Sequence, residues 1–364
     1  MIEPGVIEPR VVEPRLIERR LTEPSAAETA GVRPAAVVAL GGGHGLYASL
    51  SALRQVTSRL TAVVTVADDG GSSGRLRAEL DALPPGDLRM ALAALAGAGS
   101  ATRIWADLLQ HRFGGTGALA GHPVGNLVIA GLAELLGDPV GALDLVAALL
   151  GAVGRVLPMS PLPLQIVADV ARSDPDDPQE IRRIRGQVAV ASTPGRVVSV
   201  HLVPEEPPAC AAAVDAVRAA DWVVLGPGSW FTSVLPHLLV PDLRAALVDT
   251  PAQRVVALNL APQPGETEGF SPATHLEVLA RHAPDLRVDV VLADVESGAG
   301  DGALERAAQA MGGRLVLAPV ATPDRARHDH DRLAEAYSAL FDHGSRRQTT
   351  LVPPATDKGE HGWR

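Results

Sequence analysis

Near the start of the chain, an apolar run, a cluster of glycines and an amphipathic stretch follow one another in "AAVVALGGGHGLYASLSALRQ". A second apolar run comes next in "LTAVVTVADD". A strand, a helix and a strand at this spacing return to one sheet only as a parallel pair joined by a crossover. Parallel sheets bury both faces, which is why these runs are continuously apolar and do not alternate. The pattern recurs in "ADWVVLGPGSWFTSVLPHLL", and "QRVVALNLAPQPGETEG" and "RVDVVLADV" supply two more strands of the buried type. The chain is therefore expected to be α/β, a parallel sheet with helices on both faces. Its glycine-rich and polar loops should gather at the carboxyl edge, where ligands bind at the switch point. The segment at about 151–203 departs from this: "QVAVASTPGRVVSVHLVP" predicts short antiparallel strands, a small insertion within one domain spanning 34–344.

The flanks read differently. Residues 1–33 repeat "VIEPR", "VVEPR", "LIERR" and "LTEPS", with proline too frequent for a helix or central strand, and are expected to form a disordered N-terminal extension. The tail at 345–364, "SRRQTTLVPPATDKGEHGWR", is read in the same way.

Several function classes fall on composition. Of the 364 residues, only Cys210 is a cysteine, so neither a disulfide framework nor a thiolate zinc site is available, and no metal site is expected. Lys358 is the single lysine and lies in the tail, which removes the lysine that a P-loop ATPase or a Schiff-base enzyme needs. A formal charge of −10 argues against nucleic acid as a partner. Apolar runs such as "ALDLVAALLGAVGRVL" are interrupted by Asp144 and Arg155 well short of a membrane span, and no signal-peptide pattern opens the chain, so a cytoplasmic protein with no membrane partner is expected. Acidic ligands would have to be held by local arginines or backbone amides.

The glycine turns are the first candidates for that role. Gly41, Gly42, Gly43 and Gly45 stand between a strand and a helix, where free amides and the helix dipole suit a phosphate. "LGPGSWFTS" offers a second turn, with Gly226, Gly228, Ser229, Thr232 and Ser233. Two amide-lined turns on one sheet edge are the geometry expected for a diphosphate. Asp68 and Asp69 follow a buried strand and could accept sugar hydroxyls, hold a metal ion or act as a base. "GGSSG", Gly70 to Gly74, also fits the G-x-S-x-G elbow with Ser72 as nucleophile. The two aspartates upstream oppose an oxyanion and the sequence assigns Ser72 no histidine base, so that reading is set aside. "LPPGDLRMAL" puts Asp87 and Arg89 at a helix start, where capping accounts for them. "HRFGGTGALAGHPVGNL" contributes His111, His122 and Asn126, the last suited to a ligand ring edge or to a cap. "RARHDHD" clusters Arg327, His328, Asp329 and His330 before a last helix, a solvated helix start by this reading.

Taken together, "VVALGGGHGLYASL", "VTVADDGGSSGRLRAEL", "LPPGDLRMAL", "HRFGGTGALAGHPVGNL", "LGPGSWFTSVLPHLLVP" and "QPGETEG" resemble the gluconeogenesis factor family of bacterial proteins. That family shares a superfamily with the 2-phospho-L-lactate transferases of deazaflavin cofactor synthesis. The resemblance implies a Rossmann-like fold and a cytoplasmic protein needed for cell shape during growth on gluconeogenic carbon sources. It also implies binding of a UDP-sugar such as UDP-N-acetylglucosamine, with no cofactor required and no catalytic residue. It maps ligand contacts onto Gly42, Gly43, Gly45, Asp68, Asp69, Asn126, Gly226, Gly228, Ser229 and Arg327. The chain departs from the family at His44, which stands in the phosphate turn in place of threonine, at Met90, and at a proline insert in "NLAPQPGETEG". The alternative is a transferase moving a phospholactyl group from a nucleotide diphosphate to a deazaflavin, with Asp68 and Asp69 binding the acceptor or Mg²⁺. A scaffold without a ligand is the third class. The implied partner is a nucleotide sugar; a homo-oligomer is compatible with the sequence, which names no regulatory protein partner.

Overall fold

The computed structural model describes residues 33–171, 180–193, 195–263, 266–298, 300 and 302–348. The proline repeats and nearly all of the tail lie outside these residues. The last helix, His330–Gln348, runs past 345, where the tail was expected to begin.

In chain order the first half comprises β1 (Val37–Gly41), α1 (Gly43–Val56), β2 (Leu60–Val64), α2 (Gly71–Leu80), α3 (Pro85–Leu95), α4 (Ser100–Gln110), α5 (Val124–Leu136) and α6 (Pro139–Leu149). There follow β3 (Arg155–Pro158), β4 (Gln165–Ala171), β5 (Ile181–Arg185), α7 (Gln187–Ser192), β6 (Arg196–Val203), β7 (Trp222–Leu225), β8 (Gln253–Ala257), β9 (Val290–Asp294) and β10 (Arg314–Ala318). The seven-stranded sheet has the order β10-β9-β8-β7-β1-β2-β3, with every pairing parallel, and helices surround it. Every residue of β1, β7 and β9 is buried, the signature of strands covered on both faces. At the edge, β10 is partly exposed and begins with a charged residue, Arg314. The expected α/β fold, Rossmann-like with a small antiparallel insertion, is what the chain adopts.

One boundary differs. The insertion was expected at about 151–203, yet Arg155–Pro158 pairs in parallel with β2 and closes the edge of the main sheet. At four residues, β3 is too short to be told from the strands that follow. The antiparallel part is the sheet β5-β4-β6, from Gln165 to Val203. In β6 the residues Val197, Val200 and Leu202 are buried while Arg196, Val198, His201 and Val203 are exposed, so this small sheet is wet on one face.

The position of β1 decides where a site can form. It lies between β2 and β7, so the chain winds outward to one side through β2 and to the other through β7. The carboxyl ends of β1 and β7 therefore form the switch point of the sheet, the place where ligands bind in folds of this kind.

Candidate functional site

The Gly41–Gly45 and Gly226–Ser229 turns leave the sheet side by side, in contact. A Cβ at Gly45 would overlap the backbone of Pro227 and Gly228. A Cβ at Gly42 would strike the Asp87 carboxylate and the Thr65 methyl. Gly43 has φ of +55° and faces open space, with Asp87 its nearest neighbour. Of the three glycines, Gly43 leaves its backbone toward a cleft, while Gly42 and Gly45 answer to protein neighbours.

That cleft has two lobes. The inner one, of about 230 Å³, lies among Asp68, the Gly70–Ser73 turn and Asp87, backed by Asn126. The outer one, of about 410 Å³, lies between α1, through His44 and Tyr47, and α4, through Ala106, Asp107 and Gln110. Arg89, Met90 and Arg112 line both lobes and form the neck between them. Volumes of this order suit a small molecule.

Charge in the cleft is set by α3. Its start at Pro85 places Asp87 in the first turn and Arg89 one half-turn on. The Asp87 carboxyl is pushed up to about 7, first by desolvation and then by the neighbouring Asp68; the Gly43 amide and Arg89 oppose the shift. Arg89 is only 4% exposed, and its guanidinium is pushed down to about 10, first by desolvation and then by the like charge of Arg112. Its Nε donates to Asn126 Oδ1 at 2.9 Å. Among the described residues no carboxylate lies within ion-pair distance of it. A buried cation at the neck of a cleft, beside a second cation and without a paired carboxylate, is held at a cost that an anionic ligand would offset.

The expected site residues sort into four groups. Gly42, Gly43, His44, Asp68 and Asn126 lie at or beside the cleft. Asp68 takes the Gly70 amide at 2.9 Å, whereas Asp69 turns away: its Oδ1 accepts the Val188 amide at 3.0 Å, capping α7 of the insertion. Asp69 thereby fastens the small sheet to the loop that walls the inner lobe. The second glycine turn is filled by the protein itself. Glu266 Oε1 accepts from Ser229 Oγ at 2.6 Å and from the amides of Phe231 and Thr232 at 2.8 and 3.1 Å. Asn259 accepts from the Gly228 amide and donates to the Gly228 carbonyl, both at 2.8 Å. Gly226, Gly228 and Ser229 thus form a turn whose Gly226 and Gly228 amides and Ser229 hydroxyl are engaged by the protein itself. Arg327 is exposed, and its backbone carbonyl accepts from Thr322 in a turn before the last helix; it lines neither lobe.

Comparison with known proteins places this architecture. The model of the family described as 2-phospho-L-lactate transferase CofD matches residues 37–326. The chain belongs to the CofD family. Among its relatives, a Mycobacterium tuberculosis protein named "Putative gluconeogenesis factor" is 59% identical over 301 residues, 82% of this chain and 88% of the relative. A protein of the same name from Deinococcus radiodurans is 40% identical over 324 residues, 85% of this chain and 67% of the relative. The crystal structure of a UPF0052-family protein from Bacillus halodurans matches with a TM-score of 0.74 at 33% identity, covering 84% of this chain and 99% of the other. The resemblance to the gluconeogenesis factors carried by the motifs is thus borne out.

Within this CofD-family chain, the sequence points to Asp68 and Asn126 at the cleft, offers Asp87 and Arg89 as helix-start residues and gives no role to Arg112. Asp87 and Arg89 are satisfactory as helix-start residues, and nothing local shows that α3 delivers them to the α1 turn. Arg112 and His122 sit on a long loop whose course only the fold supplies. The one signal present was "PPGDLR", where a carboxylate and a guanidinium follow two prolines on the rigid first turn of a helix. No group of three or more His, Cys, Asp or Glu gathers among the described residues, and no single helix among them is long and apolar enough to cross a membrane.

Proposed function

We propose that the protein is a gluconeogenesis factor that binds a nucleotide sugar such as UDP-N-acetylglucosamine in the two-lobed cleft and acts as a cytoplasmic regulator of cell shape and of growth on gluconeogenic carbon. The observation that carries the binding reading is Arg89, buried at the neck next to Arg112 with no carboxylate in ion-pair distance, the attraction of Asp87 acting only from further off. A diphosphate lying there would pair with both guanidiniums and approach the Gly43 backbone, and the outer lobe between His44 and Gln110 would take one end of the molecule. Asp68 and Asp87 would accept hydroxyl groups from the other end in the inner lobe. The names of the relatives support the link to gluconeogenesis.

Titration calorimetry with UDP-N-acetylglucosamine tests this. Arg89→Met should weaken binding by about ten- to a hundredfold, the loss of roughly 1.5 to 3 kcal/mol in charge-assisted hydrogen bonds. Unchanged affinity in a folded variant would move the anion site away from the neck. Chromatography of the nucleotide after long incubation with Mg²⁺ should recover it intact; release of UDP or UMP would make the transferase the better account, since two carboxylates and a phosphate can together hold that ion.

A further inference from the structure

We propose that Ser72 is a nucleophile, with His122 as its base, acting on an ester that carries an anionic group. Ser72 lines the inner lobe at the first turn of α2, and its Oγ lies 2.7 Å from His122 Nδ1. Both residues are buried, at 6% and 5% exposure.

Arg89 sets the direction of the hydrogen bonds that reach Ser72 through Asn126. A guanidinium only donates, so the Asn126 group facing Arg89 Nε is the side-chain oxygen. The amide nitrogen of Asn126 therefore donates to Ser72 Oγ, at 2.9 Å. Ser72 keeps its proton and a second lone pair for the 2.7 Å contact with His122 Nδ1; in the tautomer with the hydrogen on Nε2, which the proposal requires, Ser72 donates to Nδ1. Burial, with help from Arg75, holds the His122 pKa below its ordinary value and keeps the ring neutral. This proton order is the resting state of a serine poised for deprotonation.

The surrounding turn supplies the other part. Gly71, with φ of +47°, turns the chain into α2, and the amides of Gly71, Ser72 and Ser73 have no partner among the described residues. They are available to an oxyanion at the positive end of the helix. The two carboxylates of the lobe, Asp68 and Asp87, are matched by the two guanidiniums Arg89 and Arg112, which would hold the anionic group of the substrate.

In the first step Ser72 Oγ bonds to the ester carbonyl carbon and its proton passes to His122 Nδ1. The carbon–oxygen bond to the alcohol then breaks, and the alcohol leaves with the proton from His122. Water attacks the acyl-serine, gives a proton to His122 as its oxygen bonds to the carbon, and the acid leaves as that proton returns to Ser72. The charge on Arg89 favours negative charge on Ser72 through Asn126. Glycine-rich turns of this kind serve binding and nucleophilic chemistry alike, and the histidine distinguishes the two.

The full-length protein treated with a biotinylated fluorophosphonate should gain a single adduct on Ser72, located by peptide mass spectrometry. p-Nitrophenyl acetate should be cleaved with a burst of nitrophenol. Ser72→Ala should abolish both, and His122→Gln should slow both by about a hundredfold or more. Ser192→Ala, an exposed serine on α7, should react as the wild type does. Circular dichroism checks that each variant is folded. Neither adduct nor burst from folded wild type, an adduct on another serine, or wild-type rates in His122→Gln would each overturn the proposal. UDP-N-acetylglucosamine affinity measured on the same preparations reports on the anion site separately, because the dyad could fail while the Arg89 site stands.

Discussion

The two glycine turns at the switch point are alike in sequence and different in occupation. Each follows a fully buried strand, opens a helical segment and receives a carboxylate from elsewhere in the chain: Asp87 at the first, Glu266 at the second. Glu266 is buried and accepts three hydrogen bonds, so its carboxylate stays in the place a ligand would take, although desolvation raises its pKa. Asp87 is half-buried, faces Asp68 and is engaged by the Gly43 amide. A turn is therefore closed when its carboxylate is well satisfied, and open to exchange when its carboxylate is poorly satisfied.

The contact between the turns is the place to break this comparison hardest. Gly45→Ala puts a methyl group into the Pro227–Gly228 backbone, which no side-chain rotation relieves. The variant should lose about 3 kcal/mol or more of stability in urea unfolding, at the upper end of overpacking costs. A loss below 1 kcal/mol would mean that the turns do not pack as described.

Removing the plug comes next in size. Glu266→Ala leaves the Phe231 and Thr232 amides without their acceptor in a buried place, and should cost about 2 kcal/mol. If the second turn is closed, nucleotide affinity in this variant should stay within about twofold of wild type, well under 1.4 kcal/mol. A tenfold loss of affinity with little loss of stability would reverse the assignment and make Glu266 a ligand contact.

How much of this could be read from the residues follows the same division. Continuous apolar runs such as "VVALG" and "WVVL" announce parallel strands, because burial on both faces leaves no alternation, and the glycines after them announce turns. The partners of those turns are long-range. Asp87 reaches Gly42 and Gly43 from the first turn of another helix, Glu266 and Asn259 come from the loop after β8, and His122 stands 50 residues from Ser72. Asp69 was expected beside Asp68 at the ligand, yet it caps a helix 119 residues further on. Neighbours in sequence on an extended segment point to opposite sides, so a carboxylate pair in the sequence need not be a pair in space. The carboxylates that do share the cleft, Asp68 and Asp87, come from different elements.

The smallest effect is the one that sharpens the comparison most, because it separates a carboxylate that gives way from one that stays. The Asp87 carboxyl, raised from 3.8 to about 7 in the folded chain, is charged above pH 7 and neutral below it. As a raised carboxyl, it contributes stability that is fully present below its unfolded value and lost as pH rises through about 7. An anion arriving at Arg89 repels ionised Asp87, so its binding is coupled to proton uptake there. Affinity for UDP-N-acetylglucosamine should be full at pH 6 and about tenfold weaker at pH 8, a difference of about 1.4 kcal/mol. Asp87→Asn mimics the protonated form: it should bind equally at both values and be more stable than wild type at pH 8. If the second turn is closed to ligand, Glu266→Gln should leave the pH dependence as it is. Calorimetry in two buffers of different ionisation heat counts the protons taken up. A wild-type affinity that is flat between pH 6 and 8, or a slope that survives in Asp87→Asn, would mean that the first turn is as closed as the second.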